Sequence, residues 1–124
     1  VKLYLPWPPS ALSPNARVHW AVLSRHKNKL RQAAKVETTL QKRGQTLDVD
    51  AELHMTLIFV RPNKRSYDRD NLVARAKAAI DGMCDALSID DRIITKVTAA
   101  VAVETDRDNP GIHVLLESCH EKTF

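Results

Sequence analysis

The chain reads as a small α+β domain, ordered β-α-β-α-β-β, with a mixed sheet and two main helices on one of its faces. Three observations predict this class. Apolar residues alternate in short runs near both ends and in the middle, the period of a half-buried strand. Two proline-free stretches between those runs carry apolar residues at helical spacing instead. Proline, glycine and asparagine punctuate the junctions. With 124 residues, 44% hydrophobic and 27% charged, the composition is that of one ordinary globular domain spanning 1–124, of which 118–124 reads as a loose tail.

The first strand is residues 1–5, where Leu3 and Leu5 share a face. Pro6-Trp7-Pro8-Pro9-Ser10 must be extended or turning, because proline fixes its own φ and pushes the residue before it out of the helical region. After a loop at 11–16, residues 17–43 contain no proline or glycine, and Gly44 supplies a stop. This is one long helix with Leu23, Leu30, Ala34 and Leu40 as a weak apolar stripe. Residues 51–60 alternate as a strand, with Leu53, Met55, Leu57 and Phe59 on one side. A basic loop at 61–66 leads to the second helix. There Asp70 stands at the N-cap position, and Leu72, Ala76, Ile80, Met83 and Leu87 recur at helical spacing. Residues 92–104 alternate again, with Ile93, Val97, Val101 and Val103 on one face. Asp106-Arg107-Asp108-Asn109-Pro110-Gly111 reads as a hairpin turn before the last strand, marked by Ile112, Val114 and Leu116. Trp7, Trp20, His54 and His113 are read as packing residues, and His120 falls in the tail.

Charge divides the chain. Residues 1–77 hold 15 Lys/Arg against 6 Asp/Glu, whereas 78–124 hold 4 against 9. A basic majority beside an acidic remainder points to a polyanionic partner, or to charges that pair across elements. No apolar run approaches the ~20 residues of a membrane helix, and neither a signal peptide nor a membrane partner is expected. Cys84 and Cys119 lack metal or redox spacing and fit a cytoplasmic protein with free thiols. Only three glycines are present, with no glycine-rich phosphate loop, so a nucleotide cofactor is not expected.

The chemistry concentrates between positions 68 and 91. Asp68-Arg69-Asp70-Asn71 is followed by Lys77, Asp81 and the doublet Asp90-Asp91. Two carboxylates about 4 Å apart repel by roughly 4 kcal/mol at an effective dielectric near 20, so acids placed this closely call for a cation. Asp68 and Asp70 would point the same way in extended backbone and could meet one hard ion such as Mg²⁺. Each piece also has a plainer reading: Asp70 as a helix cap, Lys77 and Asp81 as an ordinary i, i+4 ion pair, Asp90-Asp91 as a polar turn. Acids able to hold a metal inside a basic surface are the composition of a nuclease.

In this order the motifs resemble the RusA family of Holliday-junction resolvases, small homodimeric Mg²⁺-dependent endonucleases of phages and prophages. The resemblance covers most of the chain. Leu5-Pro6-Trp7-Pro8-Pro9-Ser10 with Asn15 and Arg17 is similar to the family's opening strand and loop. Asp68-x-Asp70-Asn71-Leu72 is similar to its central motif, Lys77-Ala78-Ala79-Ile80-Asp81-Gly82 to its lysine-bearing helix, and Asp90-Asp91 to its acidic doublet. The first-described members place the lysine four residues after the second aspartate; here the gap is seven. That is close to one extra helical turn, which keeps the facing and moves Lys77 ~4.5 Å along the axis.

The resemblance implies paired, symmetric nicking of four-way junctions and other branched DNA by in-line hydrolysis in the bacterial cytoplasm. Asp68, Asp70 and Asp91 would hold Mg²⁺ (Mn²⁺ as a substitute), Asp90 would be a further ligand or would orient one, and Lys77 would offset phosphate charge. Asn15, Arg17, Lys64, Arg65, Arg69 and Asn71 are the expected DNA contacts. Geometry poses a difficulty: a single helix over 70–86 separates Asp70 from the doublet by ~25 Å. Either the helix breaks near Gly82 and the chain doubles back, or a partner subunit supplies the doublet. Two further readings stay open: a DNA-binding module without catalysis, and a metal-dependent nucleotide or sugar-phosphate enzyme.

Overall fold

The computed structural model describes residues 1–119. Strand β1 (Lys2–Pro6) leads through a 3₁₀ turn at Ser10–Leu12 to helix α1 (Trp20–Gln41) and strand β2 (Glu52–Val60). Helices α2 (Arg69–Arg75) and α3 (Lys77–Leu87) follow, then a 3₁₀ turn at Asp91–Ile93, strand β3 (Ile94–Val101) and strand β4 (Gly111–Cys119). The strands form one sheet in the order β1-β4-β2-β3. Only the β2–β3 pair is parallel, so the expected α+β class with a mixed sheet is present. A parallel pair needs a crossover, and α2 with α3 provides it.

Alternation in β2 does what its sequence dictates. Leu53, Met55, Leu57 and Phe59 are buried, and the last three join Leu3, Leu5, Ile112, Val114 and Leu116 against the helices. From α1 the buried contributions are Leu30, Ala34 and Thr38. Leu40 is exposed instead, because the neighbouring Gln41 is the residue turned to the sheet. Its side-chain amide accepts from Tyr4 N at 2.6 Å and donates to Tyr4 O at 2.8 Å. Gln45 does the same for Lys2, at 2.7 and 2.9 Å. Two glutamines thus satisfy the outward backbone groups of the β1 edge, which would otherwise invite another strand.

Several expectations are corrected. The long first helix begins at Trp20, capped by His19, whose Nδ1 accepts from Ala21 N at 3.2 Å. Trp20 is 75% exposed rather than packed. The second helical stretch is not continuous, and its break is at Ala76, not Gly82. Ala76 has ψ −6°, far from the helical value, so the hydrogen bonding tightens there before α3 resumes. Gly82 is buried inside α3 and has a different purpose: a Cβ built on it would overlap the Arg31 carbonyl oxygen and lie 2.9 Å from its carbon, so glycine lets α1 and α3 touch backbone to backbone.

The segment 106–111 is not a hairpin, since β2 and not β3 lies beside β4. The chain passes over the end of β2 instead. Ala102 N donates to Phe59 O at 2.9 Å, Asp106 N to Arg61 O at 2.9 Å, and the Arg61 guanidinium to Val103 O at 3.1 Å. Val97 and Val103 are exposed because β3 is a sheet edge and Val103 lies past its end. Of the expected tail, Ser118 and Cys119 finish β4, while 120–124, with His120, lie outside the described residues.

Candidate active site

Asp68 is the N-cap of α2, a role expected of Asp70: its Oδ1 accepts from Asn71 N at 3.1 Å. Asp70 lies in the first helical turn, its side chain 88% exposed and 3.6 Å from Arg69 Nε. The two acids therefore lack the shared direction expected of extended backbone, because successive residues in a helix are rotated by about 100°. Both acids nevertheless sit at the helix end whose free N–H groups favour anions.

The chain does double back. After α3, Ser88 adopts the left-handed conformation (φ 55°, ψ 44°) and Ile89 N donates to Cys84 O at 3.1 Å. This turn carries Asp91 back to the beginning of α3. There the Lys77 ammonium donates to Asp81 Oδ1 at 2.7 Å and to Asp91 Oδ2 at 2.9 Å. Hydrogen bonds to Asp81, then to Asp91, raise the Lys77 pKa above its ordinary value and keep it charged. An ammonium has three N–H donors, so one stays available to an incoming ligand. Asp90 turns elsewhere: its Oδ2 accepts from Arg92 Nη2 at 2.7 Å, and its Oδ1 from Arg92 N at 3.0 Å. These bonds, the guanidinium's first, hold the Asp90 carboxyl down at about 2.

Among the described residues, no group of three or more His, Cys, Asp or Glu side chains is placed to hold a metal ion. The expected ligand set of Asp68, Asp70, Asp90 and Asp91 is thus not drawn together within one chain. The donor chemistry still suits a hard cation, because every candidate is a carboxylate. Mg²⁺ commonly takes one or two carboxylates and fills its other positions with water and substrate phosphate oxygens.

The expected DNA-contacting residues fall into two groups. Arg17, Lys64, Arg65 and Arg69 are exposed. Asn15 lies in the loop before α1, its backbone N–H 3.4 Å from Ser13 Oγ. Asn71 is engaged: its Nδ2 donates to Ser13 Oγ at 3.0 Å, tying that loop to α2.

Arg75 went unnoticed in the sequence. It is only 7% exposed, donates from Nη2 to Pro8 O at 2.6 Å, and lies 5.7 Å from the centre of the Trp7 ring and 6.0 Å from that of Tyr67. Burial lowers its pKa. An arginine in a helix usually faces water, so no sequence signal marks it; the proline-rich loop that supplies its acceptor lies far away in the chain. Trp7 does pack, edge-on to Phe59 and Tyr67. Burial pushes the Cys84 thiol up to about 11, which removes it as a nucleophile. No helix among the described residues is long and apolar enough to cross a membrane.

No family model matches the chain. It is 42% identical over 94 residues to an uncharacterized protein of Xylella fastidiosa (strain Temecula1). That match covers 73% of this chain and 60% of the relative, so the chain spans less than two thirds of the length of the protein it resembles.

Proposed function

We propose that the protein is a Mg²⁺-dependent endodeoxyribonuclease of the RusA type, which nicks four-way junctions and related branched DNA. One observation carries this reading. The Lys77 ammonium is shared by Asp81 and Asp91, at 2.7 and 2.9 Å, so the lysine and one acid of the doublet, separated in sequence by all of α3, form one cluster. That cluster is separated from the exposed pair Asp68 and Asp70 only by the short helix α2.

In this reading Asp68, Asp70 and Asp91 would hold Mg²⁺ (or Mn²⁺), with Asp90 able to join them, and the ion would activate water and neutralise the leaving oxygen. Lys77 offers its remaining N–H to a non-bridging phosphate oxygen, where charge develops during in-line attack. Asp81 and Asp91 fix the direction of that N–H. Arg17, Lys64, Arg65 and Arg69, together with the Asn15 loop, meet the DNA backbone.

A homodimer belongs to the same proposal, since two symmetric nicks call for two equivalent sites. Support comes from the unequal sheet edges. The β1 edge is closed by Gln41 and Gln45, whereas among the described residues β3 pairs only with β2, and its Val97 is 48% exposed.

The absence of a three-acid group among the described residues favours one rival, a branched-DNA-binding module without catalysis. A single assay separates the readings. A labelled four-way junction, a duplex and a nucleoside triphosphate are each offered with Mg²⁺ and with EDTA. Paired junction nicks that need metal are expected. Binding without cutting would leave the module, and triphosphate turnover would indicate a nucleotide enzyme.

A further inference from the structure

Between α1 and the α2–α3 junction lies a cleft of about 380 Å³, lined by Ser24, Lys27, Asn28 and Arg31 on one side and by Arg75, Lys77 and Asp81 on the other. Its origin is structural. Gly82 brings α1 and α3 into contact at Arg31 and Lys35. On the N-terminal side of that contact the cleft lies between α1 and the residues on either side of the interruption at Ala76. Ser24, Lys27, Asn28 and Arg31 are spaced i, i+3, i+4 and i+7, so they present one face of α1 to it.

Four cations line the cleft against one carboxylate. Two of the cations are neutralised: Arg31 by a forked bond to Asp85 at 2.7 and 2.9 Å, and Lys77 by Asp81 and Asp91. Lys27 and Asn28 have no side-chain partner among the described residues, and the Nε of the buried Arg75 has no hydrogen bond. The cleft therefore keeps a net positive charge, unfilled donors and, within its lining, the lysine of the proposed active site.

We propose that this cleft binds the sugar-phosphate backbone of a nucleic-acid strand, with Lys27 and Asn28 as the contacting side chains, and leads that strand to Lys77. The nature of the polyanion rests on the nuclease reading above. Contacts of this kind act on phosphates, so they strengthen binding to every sequence alike and make it salt-dependent.

The test measures binding of the full chain to a labelled four-way junction in EDTA over a range of salt concentrations. Variants are Lys27→Gln, the double variant Lys27→Gln/Asn28→Ala, and Lys2→Gln as a control of equal charge change on β1. Both cleft positions are exposed, and circular dichroism checks that the variants fold. Loss of one phosphate contact reduces the log–log salt slope by about 0.9 and weakens binding roughly three- to tenfold at moderate salt. The expected result is that fall for the two cleft variants and none for Lys2→Gln. An unchanged slope for Lys27→Gln, or an equal fall for Lys2→Gln, would overturn the proposal. A slope that falls as expected in a protein that never cuts with Mg²⁺ would sink the nuclease reading and keep the cleft. Metal-dependent cutting with an unaltered slope would do the reverse, and failure to bind nucleic acid would remove both.

Discussion

Lys77 commits two of its three donors to carboxylates, and that defines what it can do. Its ion pairs are half-exposed, so they add little to stability. Lys77→Gln is expected to lower kcat for junction cleavage by ~100-fold or more, on the scale of losing a preorganised charge donor, while Tm moves by only a few degrees. Unchanged kcat would exclude Lys77 from the chemistry. Asp90 makes a separate prediction. Its folded pKa of about 2 lies below the ordinary carboxylate value of roughly 3.9, so its pairing with Arg92 contributes stability above that value and loses it as pH falls toward 2. Carbon-13 NMR of the metal-free protein should show the Asp90 carboxyl titrating near the lower figure, and Arg92→Ala should return it toward the ordinary range.

At the scale of elements, the decisive contacts are those that place α3. Gly82 sets the approach of α3 to α1, and the Lys42 ammonium donates to Ala86 O at 2.8 Å near the other end of both helices. Gly82→Ala forces backbone from backbone, since the clashing atom is a carbonyl with no rotamer to escape into. A loss of about 1–3 kcal/mol is expected, read as an earlier denaturation midpoint at unchanged slope. Helix propensity alone predicts the opposite sign, a gain of about 1 kcal/mol for alanine in a helix interior. A stabilised variant would therefore disprove the close contact. The break at Ala76 follows directly on Arg75, which is held by Pro8 O beside the Trp7 and Tyr67 rings at the last turn of α2, while Ala76 itself is buried in the core.

For the whole molecule, the proposed dimer raises the question of which chain would complete each proposed site. Lys77 and Asp91 belong to one unit of one chain. Mixing Lys77→Gln and Asp91→Asn subunits breaks that unit in both, so mixed dimers should recover no cleavage over either parent. Recovery would place the pair across the interface and contradict the fold. Mixing Asp70→Asn with Asp91→Asn asks the complementary question; restored cutting at about one site's worth would assign those two acids of a site to different chains.

Much of this was legible in the chain itself. Alternation in β2 and β4, the helical spacing of Leu72 through Leu87, and the stop at Gly44 are local patterns, set by side-chain periodicity and backbone sterics. The ordered acids and Lys77 were likewise visible as candidates. Other features have no local cause. Leu40 faces water because Gln41 serves the β1 edge, and residues 106–111 cross a strand end because β2 takes β3 as its parallel neighbour through the helical crossover. Arg75 is buried by a distant proline-rich loop, and the helix breaks where no glycine or proline announces it. Sequence determined the elements and the residues that carry charge, because those follow from neighbours along the chain. Tertiary structure decided that Asp91 returns to Lys77 while Asp90 turns to Arg92, because a carboxylate takes whichever cation the fold brings within hydrogen-bond reach.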